Sequence, residues 1–197
     1  MNTREKILQV TRALLVSGGI GAVSFDAIAR GLGLSKQAVL YWFPSKQELL
    51  AEMFVGWLTA EADAAVAALA GAGTGAEAIK AFVPAIAGFH FGSLDRFRMM
   101  YLVPQTLRGG AQDTPDDAVL ARIHAATSRL YGALAERLEG DPLAARQEAV
   151  AVHSAVLGLL LMVGLAEAAG DPLKHASDDL VAALVARLTG QSVPEPG

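Results

Sequence analysis

The sequence predicts an all-α protein on three observations. Apolar residues recur at helical spacing in nearly every segment, no run of convincing length alternates like a strand, and helix-starting and helix-stopping residues punctuate the chain. With 53% hydrophobic and 18% charged residues, the 197-residue chain has enough apolar material for one large domain or two small ones.

Taken in order, Ile7, Val10 and Leu14 form one stripe of a first helix that ends at Gly18-Gly19. Ser24 caps a second helix through Arg30, and Ser35 caps a third through about Phe43. Ser45 caps a fourth, in which Glu48 is expected to complete a capping box. "GAGTG", from Gly71 to Gly75, reads as a bend within a bundle. Beyond it Ile79, Phe82, Val83, Ile86 and His90 share a face, as do Leu120, Ile123, Thr127, Leu130, Leu134 and Leu138. Pro84 and Pro104 interrupt helical patterns and should free the carbonyls of Lys80 and Met100, bending the helices there.

"GDPL" occurs at Gly140 and again at Gly170, each copy stopping one helix on Gly and opening the next region with Asp-Pro. Between the copies, Ala149 to Ala166 is apolar enough to span a membrane. His153 and Ser154 lie inside that run and no basic cluster flanks it, so the reading is a helix buried between its own domain and a second subunit. A last helix, capped by Ser177, carries Leu180, Leu184 and Leu188. The resulting division is 1–50, 51–190 and a disordered tail, 191–197.

No cysteine is present, which removes disulfides and thiolate chemistry and suits a reducing compartment. Arg4 and Lys6 precede an apolar run, but Arg12 inside it argues against a signal peptide, so a cytoplasmic location is expected. The net charge of −4 is unevenly distributed. Up to Glu52 six basic residues face four acidic ones, whereas the remainder is strongly acidic, so a polyanion should meet the first quarter of the chain.

That quarter contains "FDAIARGLGLSKQAVLYWF". Ala29 is small enough for two short helices to cross closely, and Gly33 can take the positive φ of a sharp turn. Ile28, Leu32, Leu34 and Val39 then supply a small shared core, leaving Lys36, Gln37, Leu40 and Tyr41 outside. This is the pattern of a helix-turn-helix, whose second helix enters the major groove. Phe43 should pack inward, with Trp42 at the edge of the core and Tyr41 presenting its hydroxyl to phosphate oxygens. Lys36 and Lys46 flank that surface as phosphate partners, and Ser45 exposes amides at a helix start.

These residues resemble the N-terminal domain of the TetR family of transcriptional regulators. "GLSKQAVLYWFPSKQELL" is similar to that family's recognition helix, turn and connecting helix, and "TREKILQVTRALLVSGG" to its first helix. The resemblance spans about Thr3 to Phe54. It implies phosphate contacts from Tyr41 and Lys46 and groove contacts from Lys36, Gln37 and Ala38. Ala38 stands where many members have threonine, Leu40 where many have tyrosine, and Asp26 where a basic or neutral residue is frequent. Ala38 and Leu40 can touch a thymine methyl but cannot hydrogen-bond, so direct readout leans on Lys36 and Gln37. The full candidate DNA surface is Ser24, Ser35, Lys36, Gln37, Ala38, Leu40, Tyr41, Trp42, Ser45 and Lys46.

Elsewhere the chemistry is sparse. His90, His124, His153 and His175 form no close helical pair, and Asp116-Asp117 and Asp178-Asp179 diverge by about 100° on a helix. No metal, no cofactor and no enzyme activity is therefore expected. His90 and His153 lie on apolar faces and read as hydrogen-bonded core residues or effector contacts. Candidate effector contacts are Trp57, Phe82, Ile86, Phe89, His90, Phe97, Met100, Tyr101, Pro104 and His124. Candidate dimer contacts are His153, Val156, Leu157, Leu160, Leu180, Leu184 and Leu188. The sequence thus points to a homodimeric repressor of operator DNA, released by a small, largely apolar effector, with no membrane partner. The alternatives are a helical adaptor dimer that does not bind DNA, or a small helical enzyme.

Overall fold

The computed structural model describes residues 1–102, 117–170 and 176–192, and these are helical with no strand among them. The order is α1 (Thr3–Ala22), α2 (Phe25–Leu32), α3 (Lys36–Trp42), α4 (Lys46–Leu69), α5 (Ala76–Phe91), α6 (Leu94–Phe97) with a π-helical turn (Arg98–Leu102), α7 (Asp117–Ala135), α8 (Pro142–Ala169) and α9 (Ser177–Leu188).

Side-chain caps set the starts of the first four helices. Asn2 accepts from the amide of Glu5 while Glu5 returns a bond to the Asn2 amide, a complete capping box. Ser24, Ser35 and Ser45 each accept from the amide three residues on. Each such cap is worth about 1 kcal/mol. The box expected at Ser45 is not formed: the Glu48 carboxylate accepts from the Ser45 hydroxyl instead of its amide. The last helix also differs, since Ala176 precedes it without a side-chain cap and Ser177 is its first residue.

In α1 the helical path breaks at Gly18 and Gly19, where the sequence predicts the helix to end, but α1 resumes beyond the kink and runs to Ala22. Gly19, at φ 64° and ψ −167°, adopts a backbone open essentially to glycine alone. α5 runs without interruption through Pro84.

Two cores result. Ile7, Leu15, Val23, Ile28, Val39, Phe43, Leu49 and Met53 close the first, around α1–α3 and the start of α4. Residues of α4, α5, α7, α8 and α9 close the second, including Ala62, Phe82, Ile86, Leu134, Val156 and Leu160. α4 contributes to both, and at ~1.5 Å per residue its 24 residues form a shaft on the order of 36 Å long. The sequence-based boundary after residue 50 falls inside this shaft. Glu52 straps the join: it accepts from Arg4 of α1 at 2.8 Å and from Arg122 of α7 at 2.7 Å. The Arg122 hydrogen bond, opposed by burial and aided by Arg4, holds this carboxyl down at about 2.

α8 is long and apolar enough to cross a membrane, yet only 33% of its most apolar window is buried inside the monomer. His153, Val156 and Leu160, expected at a subunit interface, instead turn into the monomer's own core. Leu143, Val150, Leu161, Met162 and Leu165 occupy the outer side. A helix apolar all round carries no phase, so spacing alone could not say which row faces inward. Leu157, Leu184 and Leu188 are half-buried against the same core, and Leu180 is half-buried. Asp171 to Leu173 of the second GDPL copy, His175, Asp116, Pro104 and the tail from 193 lie outside the described residues.

Candidate nucleic-acid interface

α2 stops because Gly33 turns left-handed, at φ 65°. Its amide and that of Leu34 return to the carbonyls of Arg30 and Ala29, closing the paired bonds that end a helix on glycine. A Cβ on Gly33 would meet nothing within 4 Å, so glycine is required here by conformation and not by space. Leu34 contributes its backbone to the turn and leaves its side chain 39% exposed, outside the core where spacing had placed it.

Ser35 then starts α3. Val39 and Phe43, four apart, are buried against Ile28 and Ala29, which fixes the rotation of the helix. The opposite row faces out: Lys36 and Gln37 are exposed, Ala38 and Leu40 half-buried, and Tyr41 is 80% exposed. Trp42, 40% exposed, meets Tyr41 edge to face with centroids 5.6 Å apart. Phe43 is the inward member of the aromatic triplet, with the Arg4 guanidinium 5.1 Å from its ring centroid. Ser24 is exposed and Ser45 half-buried at their helix starts.

Both flanking lysines are already held in place. Lys36 Nζ lies 2.9 Å from the Asp26 carboxylate, linking the first residue of α3 to α2. Lys46 Nζ donates to the Ile20 carbonyl at 3.0 Å. Exposed ion pairs are worth about 0–1 kcal/mol, so phosphate can compete for Lys36 while Asp26 offsets part of its charge. The Asp26 departure therefore has a structural role, as a partner of the groove-facing lysine.

With this geometry in place, the comparisons with known proteins are informative. Residues 7–53 match the family model described as "Bacterial regulatory proteins, tetR family". This is a TetR-family DNA-binding domain. The match covers α2, α3, the turn between them and the start of α4, the elements that arrange the outward row. No curated protein sequence matches the chain. Among solved structures, a TetR/AcrR-family regulator from Thermobifida fusca superposes with TM-score 0.70 at 19% identity, covering 94% of this chain and 96% of that one. The TetR-family regulator PfmR from Thermus thermophilus gives 0.67 at 22% identity over 100% of both chains. A Rhodococcus protein of unknown function gives 0.75 at 18% identity, with 98% and 97% covered. At these identities the likeness establishes the fold along the whole chain, and the match over residues 7–53 supports DNA-binding transcriptional regulation.

The effector candidates are distributed less simply. Phe82, Ile86, His90, Phe97 and Met100 are buried, while Trp57, Phe89 and Tyr101 are half-buried. His124 faces solvent on the outer side of α7 and joins none of them. A cleft of about 420 Å³ runs between α5 and α9, and one of about 170 Å³ lies beside α1; of the nine candidates among the described residues only Trp57 lines either.

Two of the candidates, His90 and Tyr101, converge on a carboxylate. Glu61 of α4 is 0% exposed. Its Oε1 lies 2.7 Å from His90 Nε2 and 3.2 Å from His153 Nε2, and its Oε2 accepts from the Tyr101 hydroxyl at 2.6 Å. An ionised carboxylate only accepts, so both imidazoles donate from Nε2. In a neutral ring Nδ1 is then an acceptor, which matches the Tyr131 hydroxyl 3.1 Å from His153 Nδ1. His90 Nδ1 is buried without a partner among the described residues. Burial pushes the Glu61 carboxyl up, but the His153 and His90 hydrogen bonds outweigh it and hold it at about 2. Burial and the Glu61 charge push the Tyr101 phenol well above its ordinary range.

Sequence reasoning did not find Glu61, although a signal existed. It stands on the stripe of Leu58, Ala62, Ala65 and Leu69, and a carboxylate on an apolar stripe must find buried donors.

Proposed function

We propose that the protein is a sequence-specific, homodimeric repressor that grips operator DNA with α3 and lets go when a small, largely apolar molecule enters the C-terminal domain. One observation carries the DNA part: Val39 and Phe43 lock α3 to the core with Lys36, Gln37 and Tyr41 turned to solvent. Lys36 and Gln37 then read base edges, helped by apolar contact from Ala38 and Leu40. Tyr41, Lys46 and the helix starts at Ser24, Ser35 and Ser45 hold the phosphates, with Trp42 bracing Tyr41.

Dimerisation rests on the outer row of α8. Val150, Leu161, Met162 and Leu165 form an apolar surface that a second copy would cover by two-fold symmetry, and the half-buried Leu180, Leu184 and Leu188 of α9 would extend the contact. Effector control is supported by the small cluster of Leu58 and Met100 with Phe54, Trp57, Phe89 and Tyr101, where the connecting shaft meets α5 and the π-helical turn. Turns of that type concentrate at functional sites. A molecule lodged there would push on α4 and alter the separation of the two recognition helices. The site of action is the cytoplasm, where operator DNA is found.

Selection of bound duplexes from a random DNA pool tests this reading. It should enrich a pseudo-palindrome whose half-sites lie about 10 base pairs apart or a multiple of that. A pool that stays random through successive rounds would leave a helical adaptor as the better account.

A further inference from the structure

The cleft beside α1 lies at the join of the two domains, on the edge of the N-terminal core. Arg12, Leu15 and Val16 form one wall, and Trp57, Arg96 and Met99 the other, enclosing about 170 Å³. Trp57 and Met99 also pack against the N-terminal core, so the cleft opens where the C-terminal domain leans on the DNA-binding one.

Its electrostatics are one-sided. Asp95 is the acidic group on the lining, and its carboxylate is taken by Arg98 at 2.8 Å, which also holds Glu167 at 2.8 Å. Neither Arg12 nor Arg96 has a carboxylate partner among the described residues. Arg12 rests beside Gly56, its Nη2 lying 3.8 Å from where a Cβ on that glycine would stand. Arg96 stacks on the Phe89 ring at 4.0 Å and donates to the Phe89 carbonyl, and its Nε–H is buried with no acceptor among the described residues. Burial accordingly pulls the Arg96 pKa down. Two unpaired guanidiniums beside an indole, a thioether and aliphatic side chains match a molecule with one anionic end and an apolar body.

We propose that this interdomain cleft binds a small organic anion, with the carboxylate facing Arg12 and Arg96 and the apolar body against Leu15, Trp57 and Met99. At roughly 30 Å³ per water the space equals about six waters, which suits a molecule the size of benzoate. An occupant touching α1 and the residues after α5 together links anion binding to the angle between the domains. Binding itself does not depend on the regulatory reading; its coupling to DNA does.

The full-length Trp42→Phe variant leaves Trp57 as the sole tryptophan. Titration with benzoate should give a saturable change in Trp57 fluorescence. Benzamide, its neutral isostere, should bind at least tenfold more weakly, as should benzoate to the Arg12→Gln variant. Equal responses to benzoate and benzamide, undiminished benzoate binding by Arg12→Gln, or no saturable response to benzoate would overturn the site. In the unaltered protein, benzoate should shift affinity for a selected duplex; unchanged DNA affinity with intact benzoate binding would overturn the coupling alone. Failure to bind any DNA would instead count against the repressor reading.

Discussion

In the N-terminal domain the charged side chains stand outside a small apolar core, and the buried polar side chain there, Thr11, is satisfied within its own helix by donating to the Ile7 carbonyl. In the C-terminal domain a carboxylate, two imidazoles and two phenols sit near the centre of a much larger apolar mass. The first arrangement suits a surface that must meet a polyanion: each lysine is solvated, weakly tethered and ready to exchange partners. The second is stable only while every partner is present. A single missing group there strands the others in a low-dielectric interior, so that network makes the C-terminal packing unique but sensitive.

The largest effect that would sharpen this contrast comes from Glu61→Ala. It removes the common acceptor of His90, His153 and Tyr101, and should lower unfolding stability by about 3–5 kcal/mol. Lys46→Ala should change stability by less than about 0.5 kcal/mol. Urea unfolding of the two variants gives both numbers, and a Glu61→Ala cost below that of an ordinary surface change would break the comparison.

Acid should act on the same groups. Glu61 and Glu52 are both held near 2, below their ordinary value of about 4.5. Because these folded-state values are depressed, the stability they contribute is complete above about pH 4.5 and is lost as pH falls toward 2. Unfolding followed across that window should show a steep decline in the wild type and a shallower one in a Glu61→Gln variant.

An intermediate effect belongs to the outer face of α8. Met162→Glu places a charge at the centre of the proposed dimer contact, twice by symmetry, and should weaken association at least tenfold. Sedimentation of wild type and variant checks this, and a wild type monomeric at micromolar concentration would remove the interface. The smallest effect is a gain: Asp26→Asn frees Lys36 and should tighten binding to all duplexes by a few tenths to about 1 kcal/mol.

Local chemistry explains which of these features could be read from sequence. The helix-turn-helix was legible because each of its parts is specified within a few residues: Ser caps at positions 24, 35 and 45, a small residue at Ala29, and a left-handed position at Gly33. Leu34 was misplaced because hydrophobicity suggested core, while the turn geometry directs its side chain outward. The long α8 was legible as an element but not in its rotation, since both its faces are apolar. Glu61 was missed because its partners come from other helices and the π-helical turn, with sequence separations of 29, 40 and 92 residues for His90, Tyr101 and His153. Such a network exists only in the folded packing, so the place of Glu61 on an apolar stripe signals that buried donors are needed without naming them.

The central claim is that α3 reads DNA while the start of α4 grips its phosphates. It is tested most directly by the salt dependence of affinity across a panel of selected duplexes for wild type, Lys46→Ala and Gln37→Ala. Lys46→Ala should weaken binding to every duplex alike and reduce the log–log salt slope by about one, because a phosphate contact releases one counterion. Gln37→Ala should keep the slope and lose preference at one position of each half-site. If both variants bound every duplex as the wild type does, or lost affinity equally with the same slope, the assignment of this surface would be contradicted.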